Sequence, residues 1–136
     1  MQSDEDGFVY PQADGAKCVH CDLCEKVCAY RNQTPPLSLK EVYAAVSGDT
    51  DVRESASGGL FASFAQAVIA DGGAVYGCAM EYGNGKLWPR HICITEQQDL
   101  IRLKGSKYVQ SDLGDSYRNV RRRLTDGQTV LFSGTP

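Results

Sequence analysis

Cys18, Cys21, Cys24 and Cys28 put four thiols within eleven residues, spaced Cys-x2-Cys-x2-Cys-x3-Cys. Thiolates are soft ligands, and in this spacing they wrap the corners of a cubane 4Fe-4S cluster. Two intervening residues let neighbouring sulfurs reach adjacent irons from one tight loop. The fourth thiol, three residues further on, starts a helix and points elsewhere; in two-cluster proteins it serves the other cluster. The implied chemistry is electron transfer.

Two other uses of the run compete with this one. A disulfide knot suits it poorly, because cysteines this close favour metal over pairing and nothing marks the chain for export. Zinc is the stronger rival, but zinc sites usually divide their ligands between two knuckles separated by a longer loop. The sequence has no second knuckle: Cys78, Cys93, His20 and His91 each stand singly. Ala29 follows Cys28, where ferredoxins usually carry proline, which weakens the helix start but leaves the ligation unchanged. The run thus reads as half of a ferredoxin-like 4Fe-4S module.

The elements that must position these thiols follow from pattern. Gly7–Pro11 reads as a short strand ahead of the cysteine loop, and Arg31–Pro36, with Pro35-Pro36, as a linker. The expected division is therefore 1–36 for the cluster segment and 37–136 for a second part. Glu41–Ser47 reads as a strand. Leu60, Phe61, Phe64, Ala65, Val68 and Ile69 recur as a buried helix face closed by Gly72-Gly73. Ala74–Ala79 reads as a buried strand, Asn84-Gly85 as a hairpin turn and Arg90–Thr95 as the return strand.

Thr95 with Gln98 forms a capping box for a helix to about Lys104, and Tyr108–Gln110 offers a further strand. Leu113, Tyr117, Val120 and Leu124 mark a helix stripe stopped at Asp126-Gly127, and Thr129–Phe132 reads as a buried strand. Strands alternating with helices from residue 41 onward predict a mixed or parallel α/β layer. The fold class expected is α+β to α/β, with both chain ends read as cut.

Composition narrows the function. The 136 residues suffice for about one domain with its own core. A net charge of −3 gives no electrostatic reason to expect nucleic acid. The start, Met1-Gln2-Ser3-Asp4-Glu5-Asp6, is acidic where a secretory signal is basic. The longest apolar stretch, Leu60–Ala70, is too short to span a bilayer. Six cysteines without an export signal point to a reducing cytoplasm.

Three further segments carry site chemistry. Ser57-Gly58-Gly59 sits where a helix begins, so it is either a phosphate site built from free N–H groups or a plain cap with glycines for close packing. Gly105-Ser106-Lys107-Tyr108 combines a turn, a cation and an aromatic hydroxyl, which suit a pyrophosphate or a ring edge, or else form a surface turn with a solvated lysine. Ser133-Gly134-Thr135-Pro136 follows a strand, the usual place for a binding loop in an α/β layer. Other conspicuous residues read as structural. Arg121-Arg122-Arg123 reads as a solvated helix face, Cys78 as a small buried hydrophobe and Trp88-Pro89 as a turn anchor.

In this order, after the cysteine run, Ser55-Ala56-Ser57-Gly58-Gly59, Gly105-Ser106-Lys107-Tyr108-Val109-Gln110-Ser111 and Ser133-Gly134-Thr135-Pro136 resemble the N-terminal region of the coenzyme F-420 hydrogenase/dehydrogenase beta subunit family. The likeness runs from about Asp6 to the last residue. It implies an iron–sulfur flavoprotein of oxidoreductase type, with FAD beside a 4Fe-4S cluster. It implies cofactor contacts at Ser57, Gly58, Gly59, Lys107, Tyr108, Ser133, Gly134 and Thr135, and metal ligation by Cys18, Cys21, Cys24 and Cys28. The partners implied are a ferredoxin- or hydrogenase-like redox protein or subunit and a small deazaflavin-type carrier. Family members usually have a second cysteine run ahead of residue 7 and continue past Ser-Gly-Thr-Pro with Cys-Gln and a long C-terminal half, so the resemblance implies a fragment. The alternative is a ferredoxin-like electron-transfer or binding module without flavin or activity of its own.

Overall fold

The computed structural model describes residues 2–33, 35, 38–83 and 85–134, and it is mixed α+β. The chain divides into two compact units, Met1–Tyr43 and Ala44–Pro136. Within the linker expected at Arg31–Pro36, Thr34 and Pro36 lie outside the described residues.

In the first unit, strands β1 (Gln2–Ser3) and β2 (Val9–Tyr10) pair antiparallel. The Asp4 carboxylate closes their turn by accepting from the N–H groups of Asp6 and Phe8 at 3.1 and 2.8 Å. Helix α1 (Leu23–Lys26) is a single turn inside the cysteine run. Asn32 secures its end: the side-chain amide donates to the carbonyls of Glu25, Lys26 and Cys28 at 2.7, 2.9 and 3.2 Å. Those are carbonyls that a helix terminus leaves without partners.

The second unit is organised on β3 (Ala74–Gly83), which lies between antiparallel β4 (Lys86–Ile94) and parallel β5 (Val130–Phe132). β3 and β4 form a hairpin whose last pair is Gly83 with Lys86. Gly85 takes φ 75°, the left-handed backbone that Asn-Gly turns supply; Asn84 lies outside the described residues. Both strands extend further toward this turn than the sequence pattern indicates, so Trp88 and Pro89 belong to β4. Pro89 costs the ladder little because β4 is an edge strand.

Strand alternation sends Val75, Gly77 and Ala79 to one face. There Ala62 and Ala65 of α3 (Leu60–Ala70) pack with Val75, Ala79, Ile94, Leu100 and Leu103 as the core. Leu100 belongs to a 3-10 helix, Gln97–Arg102, capped at Glu96 without a side-chain bond. The expected Thr95 capping box does not form; Gln98 instead donates to the Glu96 carboxylate at 2.7 Å. On α3 the inward positions are Ala62 and Ala65, while Phe64 is exposed. Small residues let the helix approach the sheet closely, and the larger Phe64 is left outside.

The opposite face carries Tyr76, with Phe132 beside it in the parallel register and Cys93 opposite in β4. Helix α4 (Ser116–Thr125) reaches this face through Arg123, whose Nε donates to the Tyr76 hydroxyl at 3.2 Å, and Tyr117, which stacks on Phe132 at 5.3 Å. Arg123 therefore departs from the solvated arginine face the sequence suggests. Tyr117 and Leu124 remain exposed despite their helical spacing, and Ser116 is buried in their place.

Residues 41–47 form no strand. Val42, Tyr43 and Val46 are exposed, because β-forming side chains make a strand only where another strand pairs with them. Gly48 then caps α2 (Asp49–Arg53). Residues 108–110 are likewise irregular, and pairing in this segment is limited to a single bridge from Asp112 to Arg90.

Helix α3 is capped at Asp71, and Gly72 just beyond it takes the left-handed conformation with φ 73°. At Gly73 the chain turns into β3 so closely that an added Cβ would stand 2.6 Å from the Thr129 carbonyl oxygen and 2.8 Å from that of Val68. Both neighbours are backbone and cannot step aside. Gly73→Ala is expected to lower unfolding stability by about 1–3 kcal/mol, the range for overpacked sites. The check is the urea midpoint, and a midpoint equal to that of the parent chain would contradict the close approach.

Candidate functional site

A cavity of about 550 Å³ opens in the second unit, where β5 leaves the sheet. That volume lies in the range of small-molecule sites. Its walls come from three loops and the middle of β3. Ser57, Gly58 and Gly59 form one side, Lys107 and Tyr108 a second, Ser133 and Gly134 a third, with Gly77 and Cys78 between them. Seven residues assigned to a cofactor from sequence thus share one cavity, and the eighth, Thr135, lies outside the described residues.

Local rules explain each wall. Gly59 is the N-cap of α3 with φ 76° and provides no side-chain cap; the Ala62 N–H donates to the Gly59 carbonyl at 3.0 Å, so the N–H groups of Leu60 and Phe61 are the ones turned to other acceptors. Leu60 and Phe61 of that first turn also line the cavity. Gly58 lies against the backbone at residues 45 and 46: an added Cβ would stand 3.2 Å from the Ala45 carbonyl oxygen. The loop is held further by the Ser47 N–H, which donates to the Gly58 carbonyl at 2.7 Å.

The second wall follows the 3-10 helix. Lys107 is not a solvated surface lysine. Its ammonium donates to the carbonyls of Lys104 and Leu103 at 2.7 and 3.0 Å, closing the helix terminus. Burial holds it below the usual lysine value of 10.5, with the nearby Cys78 acting in the other direction. Lys104 pairs with Glu54 at 2.7 Å, which ties this wall to the segment leading into Ser55–Gly59. No Asp or Glu among the described residues lines the cavity, whereas two lysines, four serines and a helix N-terminus do. The arrangement favours an anionic ligand group.

The third wall depends on residues that sequence reading passed over. The Ser133 N–H donates to the Tyr76 carbonyl at 2.9 Å, the last rung of the parallel ladder. The Ser133 carbonyl accepts from His91 Nε2 at 2.9 Å, and His91 Nδ1 meets the Ser111 hydroxyl at 2.7 Å. The imidazole stacks on Phe132 at 5.0 Å. A signal for this was available, since a two-residue turn at Asn84-Gly85 places His91 opposite Cys78. Cys78 itself is half-buried in the cavity wall, so it is more than a packed hydrophobe.

In the first unit the donor set fits a soft metal or iron–sulfur cluster in kind. All four thiols of the run are free; Cys18, Cys21 and Cys24 are exposed and Cys28 is half-buried. His20 and Asp22 take left-handed backbone, φ 50° and 56°, which winds the loop tightly between the cysteines. No group of three or more His, Cys, Asp or Glu side chains is gathered as a metal site among the described residues. No helix among them is long and apolar enough to cross a membrane.

No protein-family model, curated protein or solved structure matches this chain.

Tyr76, which anchors the rung at Ser133, is 2% exposed. Burial first, and the contact with Cys93 next, push its phenol above the usual 10.0, while Arg123 opposes them. Above pH 10.0 the unfolded chain releases this proton before the folded chain does, so stability falls as pH rises toward the raised folded value. Tyr76→Phe should therefore lose urea resistance less steeply than the parent chain across this alkaline window. Equal slopes would show that Tyr76 titrates alike in both states.

Proposed function

We propose that this chain is an iron–sulfur flavoprotein of oxidoreductase type, relaying electrons between a 4Fe-4S cluster and a flavin or deazaflavin carrier. In this reading the first unit is half of a ferredoxin-like module, and the second is part of an α/β layer that binds FAD. The observation that carries it is the meeting of Ser57-Gly58-Gly59, Lys107-Tyr108 and Ser133-Gly134 around one cavity at the carboxyl end of β5. These segments stand far apart in sequence, and the family resemblance implies a cofactor contact at each. Open parallel strands characteristically bind nucleotides beyond their carboxyl ends.

Each residue has a definable part. The N–H groups of Leu60 and Phe61 at the start of α3 donate to a phosphate, supported by the helix dipole. Lys107, fixed by three carbonyls, keeps its charge at one wall without closing on the ligand. Tyr108, 94% exposed, offers a ring and a hydroxyl at the rim. Cys18, Cys21 and Cys24 would hold one cluster, with Cys28 directed to a second. When bound, a flavin exchanges electron pairs and a cluster single electrons, which suits a relay between a redox partner protein and a small carrier.

Anaerobic reconstitution with iron and sulfide, followed by FAD titration, tests both halves. Cys18→Ala, Cys21→Ala and Cys24→Ala should each abolish bound iron, and Cys28→Ala should leave it largely intact. FAD fluorescence should quench on binding, and FAD should outcompete riboflavin, which lacks phosphate, by roughly tenfold. Iron without flavin binding would favour the electron-transfer module alone. Neither iron nor flavin would sink the proposal.

A further inference from the structure

We propose that His91 is a positioning residue that locks the Ser133–Gly134 peptide so that its N–H, rather than a carbonyl, is offered to the cavity. This makes the loop after β5 selective for anionic ligand groups, and it rests on reading the cavity as a flavin-nucleotide site.

The hydrogen-bond directions carry the argument. A carbonyl only accepts, so the 2.9 Å contact from Nε2 to the Ser133 oxygen requires the proton on Nε2. In the uncharged ring Nδ1 is then an acceptor, and the Ser111 hydroxyl at 2.7 Å is its donor. Ser111 is held in reach by the adjacent bridge, in which the His91 N–H donates to the Asp112 carbonyl and the Asp112 N–H to that of Pro89, both at 2.8 Å. Stacking on Phe132, with rings inclined by 12°, fixes the remaining rotation of the imidazole.

The consequence follows from peptide geometry. No cis peptide occurs among the described residues, and in a trans peptide C=O and N–H point in opposite directions. The Ser133 carbonyl faces His91, which is not part of the cavity wall; Gly134, which carries the N–H of the same peptide, is. The Ser133 N–H is already engaged by Tyr76, so among the described residues the Gly134 N–H is the backbone donor this loop can present. A reversed peptide would set a carbonyl dipole against a phosphate. Glycine at 134 also keeps the clamp close, since an added Cβ would stand 3.4 Å from Nε2.

Nitrogen and carbon NMR of the full chain tests this directly. The His91 ring should show the Nε2–H tautomer, and FAD should shift the Gly134 amide. His91→Ala should weaken FAD by about tenfold, whereas His91→Gln, whose carboxamide N–H can reach the same carbonyl, should stay within about threefold of the parent. Rescue by Gln separates the clamp from aromatic packing, which Gln would not restore. An Nδ1–H tautomer, equal losses in both variants, or no loss in either would overturn the proposal. If the parent chain binds no FAD, the flavin reading fails, and the tautomer still decides the lock: Nε2–H supports it and Nδ1–H refutes it. The tautomer also decides if His91→Ala does not fold.

Discussion

The second unit depends on one mismatch in strand length. β3 runs from Ala74 to Gly83, but its parallel ladder with β5 covers only Ala74 to Tyr76, with the Ser133 N–H adding a last bond to the Tyr76 carbonyl. Among the described residues the ladder with β5 stops at that bond, while β3 continues to Gly83. The notch this creates is bordered by Gly77 and Cys78, and the N-terminus of α3 opens into it. Had β5 continued alongside β3, its side chains and ladder bonds would fill the same space.

The positive character of that cavity has two sources of different reliability. The N–H groups of α3 are fixed in direction by the helix and need no reorganisation when an anion arrives, a contribution of roughly 0.3–1 kcal/mol at an exposed terminus and more where partly buried. Lys107 carries a full charge, but its ammonium is already bonded to the carbonyls of Leu103 and Lys104. Any ligand contact must share those bonds or break them. Burial also pulls Lys107 toward its neutral form. The helix terminus is thus the better candidate for the principal anion contact, with Lys107 setting the potential from behind.

Elements whose signals are local were legible in the sequence. α3 ends at its glycines, the hairpin turns at Gly85, and β5 falls inside the run Thr129–Phe132. The mixed α+β class follows from them. What failed depends on partners distant in the chain. Val42, Tyr43 and Val46 have strand propensity but no strand to pair with, and Thr95 has a capping pattern at a 3-10 turn that starts one residue too late to use it. Tyr117 and Leu124 share a stripe, yet α4 turns Ser116 and Arg123 toward the sheet, because a guanidinium can satisfy the buried Tyr76 hydroxyl. The three cavity segments were found through a family resemblance, since their residue types alone also suit a plain helix cap and a surface turn, while His91 meets Ser111 and Ser133 at 20 and 42 residues' separation, beyond the reach of any local pattern.

The first unit poses a different energetic problem. Among its described residues none is buried, and only Val9 and Cys28 are even partly covered. Phe8, Tyr10, Val19, Leu23, Val27 and Tyr30 are exposed, so the hydrophobic term that stabilises most domains contributes little to this one. Segments near this length usually need a disulfide, a metal or a partner to fold. Its turns are well made, at Asp4, at Asp14 and around Asn32, but net hydrogen-bond gains of about 1 kcal/mol each cannot offset the entropy of ordering so many residues. Its four thiols are free. On the cluster reading, ligation and folding of this unit are one process, since binding free energy at a site absent from the unfolded chain is folding free energy. On that same reading the sparse core and the dense cysteines are two aspects of one design, with inorganic bonds in place of the apolar burial that holds the second unit.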